Sequence, residues 1–298
     1  MLPPPSAIDT LFQQAWAAQT AGRAEEAAAI YCRILANSEH ASAWLGLGQC
    51  YLDLKQTTEA LAAFRQAAVH MPDSGAIRHM VDMLAGTRVP DRAPDDYVLW
   101  VFNGHAESFD AHLTALNYRG PEMIATLAGR AWPRRPDRAI LDLGCGTGLN
   151  GPIFREWASR LDGVDLAPRM LQQAARREVY DQLYKAEVHT FLRHHPYRYD
   201  AILSTDVFIY IGRLEEFFDL SYQMLNENGE ILCTIELNNN DQPVQLMSTG
   251  RFRQSDSYIC KAATAAGFAI VGIVDNTLRI EQGQPERGRA YHFVRQTK

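Results

Sequence analysis

The chain has 298 residues, 47% of them hydrophobic, and a formal net charge of −6. That is long and apolar enough for two domains with real cores, and the acidic balance argues against a nucleic-acid partner gripped through phosphates along the whole chain. Cys32, Cys50, Cys145, Cys233 and Cys260 are odd in number and scattered, with no C-x-x-C, so reduced thiols in a cytoplasmic chain are expected, without a disulfide frame or a metal site.

In chain order, "MLPPPSAIDT" has neither a basic n-region nor an apolar h-region, so no signal peptide is expected. No run of about 18 apolar residues follows that would cross a membrane. Residues 1–90 read as an all-α domain. Trp44, Leu47, Gly48 and Tyr51, then Ala60, Phe64, Ala67 and Pro72, fall at the offsets of a helix–turn–helix repeat of about 34 residues. Gly48 and Ala60 are small where two helices cross, and Pro72 ends the second helix. This pattern resembles the tetratricopeptide repeat. Leu11, Ala15, Ala18, Gly22, Ala27 and Tyr31 make an imperfect earlier copy, and "SGAIRHMVDMLAG" a capping helix. Such repeats bury their faces on neighbours. Two readings stay open: a groove for a peptide or protein partner, or a packing module such as a homodimer contact.

"GTRVPDRAPDDY" (86–97) marks a linker, and residues 97–130 read as helices. From 138 to 298 strands alternate with helices. "RAILDLG", "LDGVDL", "LYKAEV", "YDAILSTDV", "GEILCTIEL", "FAIVGIVDN" and "RAYHFVRQ" are the strands, and the last two lack a helix between them. The expectation for residues 91–298 is therefore a Rossmann-like, doubly wound, mostly parallel seven-stranded α/β sheet with an antiparallel final hairpin.

"ILDLGCGTGLN" (140–150) places Gly144, Gly146 and Gly148 after the first strand. A dinucleotide fingerprint needs glycine where Leu149 stands, and no P-loop lysine follows, so little is present to hold a pyrophosphate. Asp142 can reach a cationic amine, and Asp165, ending the second strand, suits both ribose hydroxyls. A ligand with ribose, adenine and an amino-acid end fits: S-adenosyl-L-methionine.

With these features together, residues 98–298 resemble the class I S-adenosylmethionine-dependent methyltransferases. "FDAHLTALNYRGP", "DVFIYIGRLEEFF" and "RFRQSDSY" look like a bacterial group with tetratricopeptide repeats in front, except that Gln254 stands where that group often has histidine. The resemblance implies that Asp142, Gly144, Cys145, Gly146 and Gly148 line the methionine end of the cofactor. Asp165 would bind the ribose, or simply cap the next helix. Leu166 and Met170 would flank the adenine, with Met170 as plain core the rival reading. Glu187 and Val188 would meet the adenine amino group. The segment 97–130 would be a lid, with Tyr118 in it and Arg119 pairing with the methionine carboxylate. Asp206 would lie under the sulfur, and Val207, Phe208 and Tyr210 would wall the methyl channel. Glu236 is the first candidate base, with Asp206, His105 and Tyr210 behind it. The expected activity is methyl transfer by in-line displacement to a small-molecule or protein-borne acceptor. The alternative is a catalytically silent cofactor-binding protein whose repeats mediate interactions.

Overall fold

The computed structural model describes residues 7–238, 240 and 242–297. The chain divides into two compact units, one ending at Arg88 and taking in Ser248–Gly250, the other holding the remainder.

The first unit is built of helices α1 (Ala7–Thr20), α2 (Ala24–Leu35), α3 (Ala41–Asp53), α4 (Thr57–His70) and α5 (Gly75–Ala85). Their packing follows from missing side chains. A Cβ on Gly48 would lie 2.6 Å from the Phe64 ring, and one on Gly46 2.4 Å from Tyr31. Each aromatic ring thus fills the space that a glycine leaves, and Ala60, Ala63 and Ala67 are fully buried beside Phe64. Ser74 caps α5 by accepting from the Ile77 amide, and Gly86, at φ +63°, closes it. These are the expected repeats and capping helix.

The second unit starts with helices α6 (Asp95–Asn103), α7 (Phe109–Ala115) and α8 (Gly120–Ala131). Then come β1 (Arg138–Leu143), α9 (Gly151–Phe154), β2 (Ala158–Asp165), α10 (Pro168–Ala175), β3 (Gln182–Lys185), α11 (Val188–His194) and β4 (Tyr199–Ser204). They are followed by α12 (Glu215–Met224), β5 (Leu225–Glu236), β6 (Val244–Leu246), β7 (Phe252–Gln254), α13 (Asp256–Ala266), β8 (Phe268–Glu281) and β9 (Gln284–Arg295).

The large sheet has the order β3-β2-β1-β4-β5-β9-β8. Its first five strands run parallel, and β9 is antiparallel to β5 and hairpins with β8. Helices cover both faces, so Leu141, Leu143 and Ile202 point into one apolar cluster with Phe217 and Phe218. Ile140, Ala201 and Leu203 point into the other with Trp132, Phe154 and Trp157. Strand order reverses between β1 and β4, and their carboxyl ends open the crevice where ligands bind in such sheets.

The short antiparallel ribbon of β6 and β7 departs from the expected pattern. Three-residue strands carry too little alternation to register in the sequence. No helix among the described residues is long and apolar enough to cross a membrane.

Candidate functional site

The three glycines after β1 all take positive φ, 67°, 55° and 84°, but for different reasons. A Cβ on Gly144 would meet Val207 Cγ2 at 2.3 Å. One on Gly148 would meet Tyr180 at 2.8 Å, Arg177 at 3.2 Å and the Ala174 backbone at 3.3 Å. One on Gly146 would touch nothing within 4 Å. Gly146 lines the main cavity, so its missing side chain leaves room for a ligand against the backbone. Gly144 and Gly148 serve packing.

Asp165 at the end of β2 faces this turn. Its Oδ2 accepts from the Gly146 amide at 2.9 Å and its Oδ1 from the Ala167 amide at 2.7 Å. The carboxylate lines the cavity, where it could also accept from a ligand hydroxyl. Burial pushes this carboxyl up to about 6, against the pull of the backbone amides. Asp142 is also raised to about 6 by burial, but both its oxygens are taken. Asn150 Nδ2 donates to one at 2.9 Å and the Tyr180 hydroxyl to the other at 2.7 Å. It braces the turn from beneath.

The main cavity, about 630 Å³, lies between the turn (Gly144 to Thr147), the α6–α7 segment and the end of β4. Val101, Phe102, Phe109, Leu113, Leu116, Tyr118, Ile209 and Tyr210 give it an apolar and aromatic wall, with Asp206, Arg251 and Arg279 as charged members. Phe102 meets Phe109 and Tyr210 edge to face, with centroids 5.8 and 5.3 Å apart. A narrower lobe of about 100 Å³ shares Phe102, Gly144, Asp165, Asp206 and Tyr210 with it. Leu166, Ala186, Glu187, Val188, Val207 and Ile211 line that lobe. A largely apolar slot beside a carboxylate that could accept from ribose hydroxyls would suit an adenine ring. Glu187 is burdened by burial, yet hydrogen bonds from the His189 ring and from the amides of Thr190 and His189 bring it down to about 2.

The structure therefore gathers Tyr118, Gly144, Cys145, Gly146, Asp165, Leu166, Glu187, Val188, Asp206, Val207, Tyr210 and His105 around one crevice. Other expectations need correction. Asp142 and Gly148 lie behind the turn. Met170 is 1% exposed and packs with Ala106 and Ala167 as core. Phe208 is fully buried against Phe217, so the channel wall loses it. Arg119 turns away from the cavity to Glu122 at 3.0 Å and Asn276 at 3.3 Å.

Glu236 is the largest correction. Its buried carboxylate pairs with Arg279, with Arg251 Nε at 3.1 Å and with Arg253 Nε at 3.4 Å. A carboxylate committed to three guanidiniums anchors structure and is a poor proton acceptor. The same cluster reaches the cavity through Arg279 Nη1, 3.0 Å from Asp206 Oδ2. Asp206 sits at φ +55°, and burial raises its carboxyl while Arg279 and Arg251 pull it down.

His105, by contrast, lines the cavity and has no carboxylate or guanidinium partner among the described residues. Its Nδ1 lies 3.1 Å from the Val101 carbonyl, which directs that proton to the carbonyl and leaves Nε2 as an acceptor. Burial pushes the Tyr118 and Tyr210 hydroxyls up, so both act as donors. Gln254 is buried and donates through Nε2 to the carbonyls of Phe208 and Ile211, at 2.9 and 2.8 Å, holding the segment that carries Tyr210.

A methyltransferase-domain family model matches residues 116–272, more than half of the chain, and a tetratricopeptide-repeat model matches residues 12–75. The chain belongs to the methyltransferase-domain family, in its class I S-adenosylmethionine-dependent form with repeats in front. It is similar to the 18S rRNA (guanine(1575)-N(7))-methyltransferase of Saccharomyces cerevisiae, 26% identical over 129 residues, or 39% of this chain and 47% of that one. It thus spans about half the length of that relative.

Among solved structures, it is similar to the 1,6-didemethyltoxoflavin-N1-methyltransferase of Burkholderia thailandensis, at TM-score 0.53 and 17% identity over 71% of this chain and 94% of that one. The cyclase SpnF matches at TM-score 0.55 and 13% identity, over 70% and 99%. These two likenesses speak to the fold alone. S-adenosyl-L-methionine is the cofactor of the family. The residues are compatible with it: the open face of Gly146 would leave room for its amino-acid end, Asp165 would accept from its ribose and the narrow lobe would take its adenine.

Proposed function

We propose that this chain transfers a methyl group from S-adenosylmethionine to a small, flat acceptor, or to a ring displayed on a protein, held in the aromatic chamber under α6 and α7. The observation that carries the reading is the continuity of the two lobes past Asp165, Asp206 and Gly144. It puts a nucleoside-shaped slot next to a chamber with room for a second molecule. When bound, the cofactor supplies an electrophilic sulfonium methyl. The chain's residues hold the reactants in line and keep water out. Alignment of this kind can contribute about 7–11 kcal/mol in favourable cases.

Phe102, Phe109 and Tyr210 offer ring edges and faces to a planar acceptor. His105 Nε2 takes a proton where the acceptor must lose one. Residues 1–90 work as a tetratricopeptide-repeat domain that docks a protein segment, and residues 91–298 as the methyltransferase domain.

RNA is a second reading, since the yeast relative is named for methylating guanine N7 of rRNA. The net charge of −6 favours the small acceptor. Radiolabelled methyl transfer into separate small-molecule, RNA and protein fractions of a bacterial extract tests this. Label in the small-molecule fraction, lost in His105→Ala and Tyr210→Phe variants, supports the proposal. Label confined to RNA overturns it in favour of the second reading.

A further inference from the structure

The lid segment and the glycine turn are tied by three bonds that the catalytic reading leaves unexplained. Thr147 Oγ1 donates to Asp110 Oδ1 of α7 at 2.5 Å. Arg177, just past α10, donates through Nη2 to Asp110 Oδ2 and through Nε to the Thr147 carbonyl at 2.6 Å. Gly148 makes the last two possible, because a Cβ there would press on the Arg177 stem at 3.2 Å. Nearby, Phe109 and Phe102 pack on Ala106, Ala167 and Met170, and Arg169 Nη1 holds the Asn103 carbonyl at 3.1 Å. Ser108, Phe109 and His112 of the lid and Gly144 to Thr147 of the turn line the same cavity. A cofactor seated on the turn would have the lid beside it, and separating the two parts would widen its way in and out.

We propose that Asp110, Thr147 and Arg177 form a latch that sets how fast the cofactor exchanges. They are positioning residues, acting through the turn and the lid. This rests on the cofactor site proposed above. Every bond of the latch runs between protein atoms, so it contributes alike with and without cofactor. Weakening it therefore speeds opening in both states and leaves the equilibrium affinity nearly unchanged. Asp110 and Arg177 are partly exposed, at 46% and 25%, so salt weakens their pairing.

The test is stopped-flow binding of S-adenosylhomocysteine to the full chain and to Asp110→Asn, Thr147→Val, Arg177→Gln and Arg177→Lys, with thermal melting as the check on folding. The expected result is association and dissociation rates both raised roughly tenfold in Asp110→Asn and Arg177→Gln, the scale of one charge-assisted hydrogen bond. The dissociation constant should stay within about twofold, and Arg177→Lys should be intermediate. Added salt should speed exchange in the parent chain and not in Arg177→Gln. Unchanged rates overturn the latch. So does a rise in dissociation alone with matching loss of affinity, which would make these residues ordinary supports of the bound state. If the parent chain fails to bind S-adenosylhomocysteine at all, the cofactor site itself is wrong, a different failure from the latch's.

Discussion

The two ends of the sheet's carboxyl edge hold their charges in opposite ways. Over β1 to β3, Asp165 is half-buried, has no cationic partner among the described residues, and is steadied by backbone amides. Over β4, β5 and β8, Asp206, Glu236 and Glu281 are knitted to Arg251, Arg253 and Arg279. The first arrangement leaves acceptor capacity facing a crevice, at the expense of a raised pKa. The second uses up its charges internally and keeps strand ends and the Asp206 loop in register. A half-buried carboxylate held only by amides marks where a ligand is to be met; a saturated ion cluster marks a scaffold.

The sharpest way to break this contrast is at Arg279, whose side chain is 3% exposed. Arg279→Ala leaves Glu236 buried without its closest cation and frees one side of Asp206. It should cost about 3–5 kcal/mol of stability, read by urea unfolding. A loss below about 1 kcal/mol would show that the cluster does not hold the sheet end together.

The glycines sharpen the contrast within one turn. Gly148→Val must displace Tyr180 and the Ala174 backbone, and should destabilise the fold by about 1–3 kcal/mol. A Cβ at Gly146 meets no protein atom within 4 Å, so Gly146→Val adds bulk on the cavity side and shares with Gly148→Val only the backbone strain of a positive φ. It should lose S-adenosylhomocysteine binding in calorimetry and, having strain without a clash, lose less stability than Gly148→Val. Equal effects of the two substitutions would remove the distinction between a packing and a ligand glycine.

A smaller effect follows pH. Asp142 and Asp165 are each raised to about 6 by burial. A raised carboxyl contributes stability that is fully present below its unfolded value near 4 and is lost as pH rises through about 6. Between those values each should remove stability with a slope of up to about 1.4 kcal/mol per pH unit. Glu187, lowered to about 2, acts in the reverse sense, its contribution present above about 4.5 and lost toward pH 2. Cofactor binding uses ionised Asp165, so affinity for S-adenosylhomocysteine should fall as pH drops below about 6. A flat affinity from pH 5 to 8 would contradict that role.

Much of the first end of the sheet was legible in the sequence. A strand, a glycine turn and an acid ending the next strand are local signals, and Gly146 and Asp165 stand where they were expected. The repeats were legible for the same reason, since Gly48 and Phe64 belong to one short period. What local pattern could not settle was direction. Asp142 alternates inward along β1, and Met170 turns into the core. The second end depends on partners far apart in the chain. Arg279 reaches Asp206 and Glu236 only because β8 and β9 fold back beside β5. Nothing near Glu236 in sequence announces three guanidiniums, so its pattern read as a free base. The latch was missed likewise, because Asp110 and Arg177 meet only across the turn.

The most direct measurement is calorimetric titration of S-adenosylhomocysteine into the parent chain and Asp165→Ala. Removing a carboxylate that receives two hydroxyl hydrogen bonds should weaken binding by about 1.5–3 kcal/mol, roughly ten- to a hundredfold, in a protein that still folds. Affinity retained within about twofold would contradict the account, taking Asp165 out of the cofactor site and the crevice reading with it.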